Sequence, residues 1–174
     1  CMIALALLAK HPEIRKQILG DICPYDDEPI EVVAFNGRES DAPYGIWGDI
    51  ADQLGKKDVF KDYYSPLQAP GQSAWTNLLK KKRLLILLDE LPPYFENAKS
   101  KVIGNSDLSV VSGTALSNLL VAVSKEELSR VCIVISDLKA TYEGGSQAIN
   151  EALKNFENEV NRSSIRLEPV GLNT

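Results

Sequence analysis

Histidine occurs once in these 174 residues, methionine once and cysteine three times. A single imidazole, His11 ahead of Pro12, leaves histidine triads and zinc-type ligand sets without raw material. Cys1, Cys23 and Cys132 form no close-spaced pair, so no disulfide framework is expected and a reducing, cytoplasmic compartment is indicated. Cys132 falls inside the apolar run VCIVI, where a small buried thiol is expected. Positive charge is not in excess: 19 Lys and Arg against 24 Asp and Glu give a net charge of −5. That balance supplies no electrostatic footprint for nucleic acid or anionic lipid. The one basic cluster, Lys80 to Arg83, reads as a solvated lead-in to the apolar run that follows it. Long apolar stretches are also missing. CMIALALLAK is far short of the roughly 20 residues that span a bilayer. It lacks a basic leader and reads as a buried helix, apolar on nearly every side, not a signal peptide.

What is present is one domain's worth of alternating helix and strand signals, taken as a single unit over residues 1–174. The opening helix covers Met2 to Leu8, and Pro12 begins a second helical piece closed by Gly20. IEVVAF (30–35) has strand composition, and NGRESDAPYG after it reads as irregular. Helical spacing appears over 46–55, 73–81 and 109–123, with a last helix from Ser146 to Val160. LLILL (84–88) and RVCIVIS (130–136) are uninterrupted apolar strands, and IRLEPV (165–170) is expected to close the sheet. The stretch between Glu90 and residue 106 reads as loop, with Pro92 and Pro93 ending the strand. Trp47 and Trp75 lie on helix faces and are expected to pack. Continuously apolar strands separated by helices predict an α/β fold, a three-layer parallel sheet flanked by helices.

The greasy run 84–88 ends on two acids, Asp89 and Glu90. In open α/β sheets ligands bind beyond the carboxyl ends of the strands, which is where both fall. Strand alternation would aim adjacent acids in different directions, and that suits two jobs. Asp89 could hold Mg, mostly through its water shell; Glu90 could orient, or take a proton from, a water attacking the γ-phosphate of ATP. The second apolar strand ends at Ser136 and Asp137, where a side chain sensing the γ-phosphate would sit. Arg162 and Arg166 follow the last helix, where an arginine finger reaching a neighbouring subunit could lie, as could a simple surface cation at a helix C-terminus.

GIWGDIADQLG (45–55), APGQSAWTNLLKKKRLLILLDELPPYFENA (69–98) and RVCIVISDLKATYEGG (130–145) together resemble an AAA-type P-loop ATPase, of the poorly characterised family found beside DNA methyltransferases and helicases in prokaryotic phage-defence islands. That resemblance implies a P-loop NTPase-like core and ATP with Mg as ligands. It gives Asp89 and Glu90 the Walker B roles and Ser136 or Asp137 the sensor role. It also implies a homo-oligomer of the parent protein, DNA contacts through other domains, and no membrane. One departure stands out. No G-x-x-x-x-G-K-[ST] occurs, and that loop's backbone N–H groups and lysine are what cradle a polyphosphate. The expectation is that an N-terminal strand and the phosphate loop precede residue 1, and that residues 1–174 alone hydrolyse nothing. The competing expectation is a non-catalytic module of the same fold, used for assembly or partner binding. A phosphoacceptor receiver fits worse, because the acids after its first strand and the lysine after its last have no counterparts at the required spacing.

Overall fold

The structure is a computed structural model that describes residues 2–20, 28–39, 41–136, 147, 149–154 and 158. Its elements in chain order are α1 (Met2–Lys10), α2 (Pro12–Leu19), β1 (Glu31–Asn36), α3 (Gly45–Gln53), a 3-10 segment (Lys57–Tyr63), α4 (Gln72–Leu79) and β2 (Leu84–Asp89). Then follow α5 (Leu91–Ala98), the short pair β3 (Val102–Ile103) and β4 (Ser106–Asp107), α6 (Leu108–Val123), a 3-10 turn (Glu126–Leu128) and β5 (Val131–Ile135). Among the described residues no helix is long and apolar enough to cross a membrane.

β1, β2 and β5 form a parallel sheet in that order, with Val33 opposite Ile86 and Ile86 opposite Ile133. The central position of β2 explains its unbroken aliphatic run. Leu84, Ile86 and Leu88 face the main core with Val33 and Phe35, while Leu87, on the opposite face, is also buried. A strand covered on both faces has no use for polar alternation. α3, the 3-10 segment Lys57–Tyr63, α4, α5 and α6 supply most of the remaining core, anchored by Trp47, Trp75, Phe60 and Phe95, all essentially without solvent exposure. Both tryptophans therefore pack as expected. The Trp75 indole N–H donates to Ala115 O at 3.1 Å, whereas the buried Trp47 Nε1 has no hydrogen-bond partner among the described residues.

α1 packs against β1 and β2, and Ile30 N–H donates to Ala9 O at 2.9 Å, which fixes the end of α1 beside the start of β1. Arg15 of α2 secures this corner. Its guanidinium donates to Leu8 O at 3.0 Å, Ala9 O at 3.2 Å and Glu28 O at 2.9 Å, satisfying carbonyls that a helix end otherwise leaves open.

Three expectations need correction. α1 is not enclosed: Ile3 is 78% exposed and Leu7 is also exposed, because the described residues cover only the side that meets the sheet and α2. Cys132 is exposed, since β5 lies at one edge of the described sheet and Cys132 falls on the opposite face from the main core. The stretch after Glu90 is not all loop. Residues 91–98 form α5, with Pro92 and Pro93 in its first turn, where the missing N–H groups would have had no intrahelical partner anyway. Asp107 then caps α6 by accepting from the N–H groups of Ser109 and Val110. Of the basic lead-in, Lys80 and Lys81 are exposed as expected, whereas Lys82 and Arg83 are half-buried and paired to Glu31 and Glu28.

Candidate functional site

Three strand ends converge at one edge of the sheet. β1 closes on Asn36, which lies opposite Asp89, the last residue of β2. Ser136 follows β5 immediately, and its N–H donates to Leu88 O at 3.0 Å, so it stands beside the same strand end. Asp89 and Ser136 are thus brought together by sheet register alone.

The two acids point to opposite neighbours. Asp89 Oδ1 accepts from Ser136 Oγ and from Glu90 N–H, the latter at 3.0 Å. Its other carboxylate oxygen accepts no hydrogen bond among the described residues. Glu90 instead turns toward β1, where Arg38 Nε donates to its Oε2 at 2.6 Å. The cause is not strand alternation. Glu90 lies outside β2, as the N-cap of α5, with a left-handed backbone of φ 51° and ψ 39°. A non-glycine residue pays strain for that conformation, of order 1–3 kcal/mol, and it is what swings the second carboxylate away from the first.

The ground beneath this edge is rigid. Gly37 N–H donates to Asp89 O at 2.9 Å, tying the turn after β1 to the end of β2. A Cβ at Gly37 would lie 2.2 Å from Glu90 O and 2.7 Å from Tyr94 Cβ, so only glycine lets the turn approach α5 this closely. Tyr94, one turn into α5, stacks edge-on against Phe35 with ring centroids 5.2 Å apart. Its hydroxyl bonds Ser112 Oγ of α6 at 2.9 Å and accepts from the Ile46 backbone at the start of α3. Burial pushes the Tyr94 phenol up to about 12, a shift these hydrogen bonds partly oppose.

For a metal, the described residues contain no group of three or more His, Cys, Asp or Glu side chains that could hold one. Magnesium needs less. It keeps most of its water and is held through one or two carboxylates plus phosphate oxygens, and the half-buried Asp89 with one unbonded oxygen fits that mode. Asp137, Arg162 and Arg166 lie outside the described residues. A surface cavity of about 450 Å³ opens elsewhere, between α6 and the side chains of Gln147, Glu151 and Ala152, lined also by Lys99, Ser109 and Asn118; neither Asp89 nor Glu90 belongs to it.

Arg38, Asn36 and Gly37 were hidden in a stretch whose sequence reads as irregular. Their signal was positional: Asn36 ends β1 and Gly37 and Arg38 directly follow it, so in a parallel sheet they must emerge at the same end as Asp89.

A family model described as the DUF499 N-terminal domain matches residues 21–170. No curated protein matches, and no solved structure does.

Proposed function

The chain belongs to the DUF499 N-terminal domain family, and for this member we propose that in the intact protein the domain is the core of an AAA-type, Mg-dependent ATPase coupled to DNA processing or phage defence. The observation that carries this proposal is the pair of carboxylates at the end of the central parallel strand, one beside Ser136 and the other turned to the opposite side. Asp89 would hold the hydrated Mg, which when bound neutralises phosphate charge. Glu90 would take the proton of the attacking water as its oxygen bonds to the γ-phosphorus and the bond to ADP breaks. Ser136, or Asp137 beyond it, would contact the γ-phosphate, and Arg162 would serve a neighbouring subunit of a homo-oligomer. The phosphate cradle would come from outside residues 1–174, and contacts with DNA from other domains.

Glu90→Gln in the intact protein tests this directly. Turnover should be abolished while ATP binding persists, because an amide keeps the shape of the side chain and cannot accept the proton. Hydrolysis at the wild-type rate would overturn the assignment. A non-catalytic module for assembly or partner binding is the second reading, favoured by the Arg38 ion pair that occupies Glu90. It requires an intact protein that never hydrolyses ATP.

A further inference from the structure

The one basic cluster of the sequence gains company in the fold. Lys80 and Lys81 are exposed in the turn between α4 and β2, and Lys82 and Arg83 lead from it into the start of β2. Exposed Arg130 stands beside them at the start of the neighbouring strand β5, where its carbonyl accepts from Leu84 N–H at 3.1 Å. Lys56 is drawn to the same place, since its Nζ donates at 2.7 Å to the carbonyl of Leu78, two residues before Lys80. Burial and the positive charges of Lys82 and Lys80 lower the Lys56 pKa, and Glu31 opposes them. Cations therefore crowd the end of the sheet opposite to Asp89. Glu31 answers Lys82 and Glu28 answers Arg83, but Lys80, Lys81 and Arg130 carry no ion pair among the described residues. The chain's net charge of −5 averages this concentration away.

The turn has a second peculiarity. Lys82 N–H donates to Leu79 O at 3.2 Å, Lys80 has φ −53° and ψ 144°, and Lys81 has φ 62°. This is the pattern of a type II turn, whose third residue is ordinarily glycine or asparagine. Elsewhere the chain uses glycine for such a backbone, as at Gly55 with φ 65°. At position 81 it tolerates strain and presents an exposed ammonium instead.

Lysine is a flexible point charge without the fixed fork of arginine, so this rim suits a partner that repeats its charge better than one shaped anion. A phosphodiester backbone does so about every 3.4 Å along each nucleic-acid strand, and neighbouring β-strands set their first residues about 4.8 Å apart. A flat anionic bilayer would also press on Glu28, whose side chain is 71% exposed, whereas a backbone can pass beside it. We propose that the lysine turn and Arg130 form a sequence-independent contact for the phosphate backbone of nucleic acid, at the end of the sheet away from the acids. It extends the DNA-processing reading above, adds to whatever contacts other domains make, and does not depend on hydrolysis.

The test measures binding of a labelled DNA duplex by the full-length protein across a salt series. Two variants serve: Lys81→Gly alone, and the triple variant Lys80→Gln, Lys81→Gly and Arg130→Gln. Lys81→Gly removes a charge and relieves the turn, so it should melt no lower than wild type. The plot of log affinity against log salt should become shallower by about 0.9 in the single variant and roughly 2.7 in the triple one, as for one and three lost phosphate contacts. The weakening should be equal for duplexes of unrelated sequence. ATP turnover without DNA should not change, because the acids lie at the other end. A triple variant with the wild-type salt slope would overturn the proposal, as would a loss confined to phosphatidylserine vesicles with DNA binding intact. A full-length protein that shows the predicted slopes and hydrolyses no ATP would overturn the hydrolytic reading alone.

Discussion

Gly37 and Glu90 meet so closely that a single methyl group at position 37 would lie 2.2 Å from the Glu90 carbonyl oxygen. That carbonyl is backbone and cannot rotate aside. Gly37→Ala must therefore push β1 and α5 apart at the edge that carries the acids. Overpacking of this kind costs about 1–3 kcal/mol, and chemical unfolding should show a loss in that range. A variant as stable as wild type would mean the strand end is more compliant than its hydrogen bonds imply.

Tyr94 makes alkaline pH a probe of the core. Its phenol, ordinarily near 10, is raised to about 12 by burial, so the folded chain keeps this proton longer than the unfolded chain does. The stability it contributes is complete below pH 10 and drains away as pH rises toward 12. Two units correspond to about 2–3 kcal/mol. Unfolding free energies measured from pH 9 to 12 should fall less steeply in Tyr94→Phe than in wild type. At neutral pH the same variant should be weaker by about 1–3 kcal/mol, because Ser112 and the Ile46 N–H lose a buried partner. Parallel pH curves for the two proteins would contradict the buried-phenol account.

Gln53 behaves as a surrogate neighbour strand. Its amide nitrogen donates to Ala34 O at 2.8 Å while its oxygen accepts from Ala34 N–H at 3.0 Å, and the nitrogen also donates to Asp49 Oδ2 at 2.8 Å. One side chain thus occupies both hydrogen-bonding groups of a residue on the edge that β1 forms in the described sheet. Unpaired edge groups are templates for association. Gln53→Ala should lose about 1 kcal/mol and show a larger concentration-dependent sedimentation coefficient. Equal sedimentation behaviour would show that the edge needs no such cover.

Much of the architecture was legible because hydrophobic periodicity reports burial directly. The run 84–88 is unbroken because β2 is flanked by β1 and β5, and α6 shows its face because one side meets the core. α5 was illegible because Pro92 and Pro93 read as terminators, although a helix tolerates proline throughout its first turn. The placement of Asp89 beside Ser136 followed from strand ends. The direction of Glu90 did not, since a left-handed backbone at a glutamate has no compositional signal and the partner that rewards it, Arg38, is 52 residues away in sequence. Exposure of Cys132 was equally hidden: VCIVI looks the same whether a strand is central or at an edge.

Arg15 leaves one mechanical consequence. A single guanidinium grips carbonyls from the end of α1 and from Glu28, two residues before Ile30, which is itself bonded to Ala9. The elbow between the first two helices is thus bolted rather than jointed. Force applied to α1 from outside would arrive undamped at the root of β1, the strand whose far tip carries Arg38.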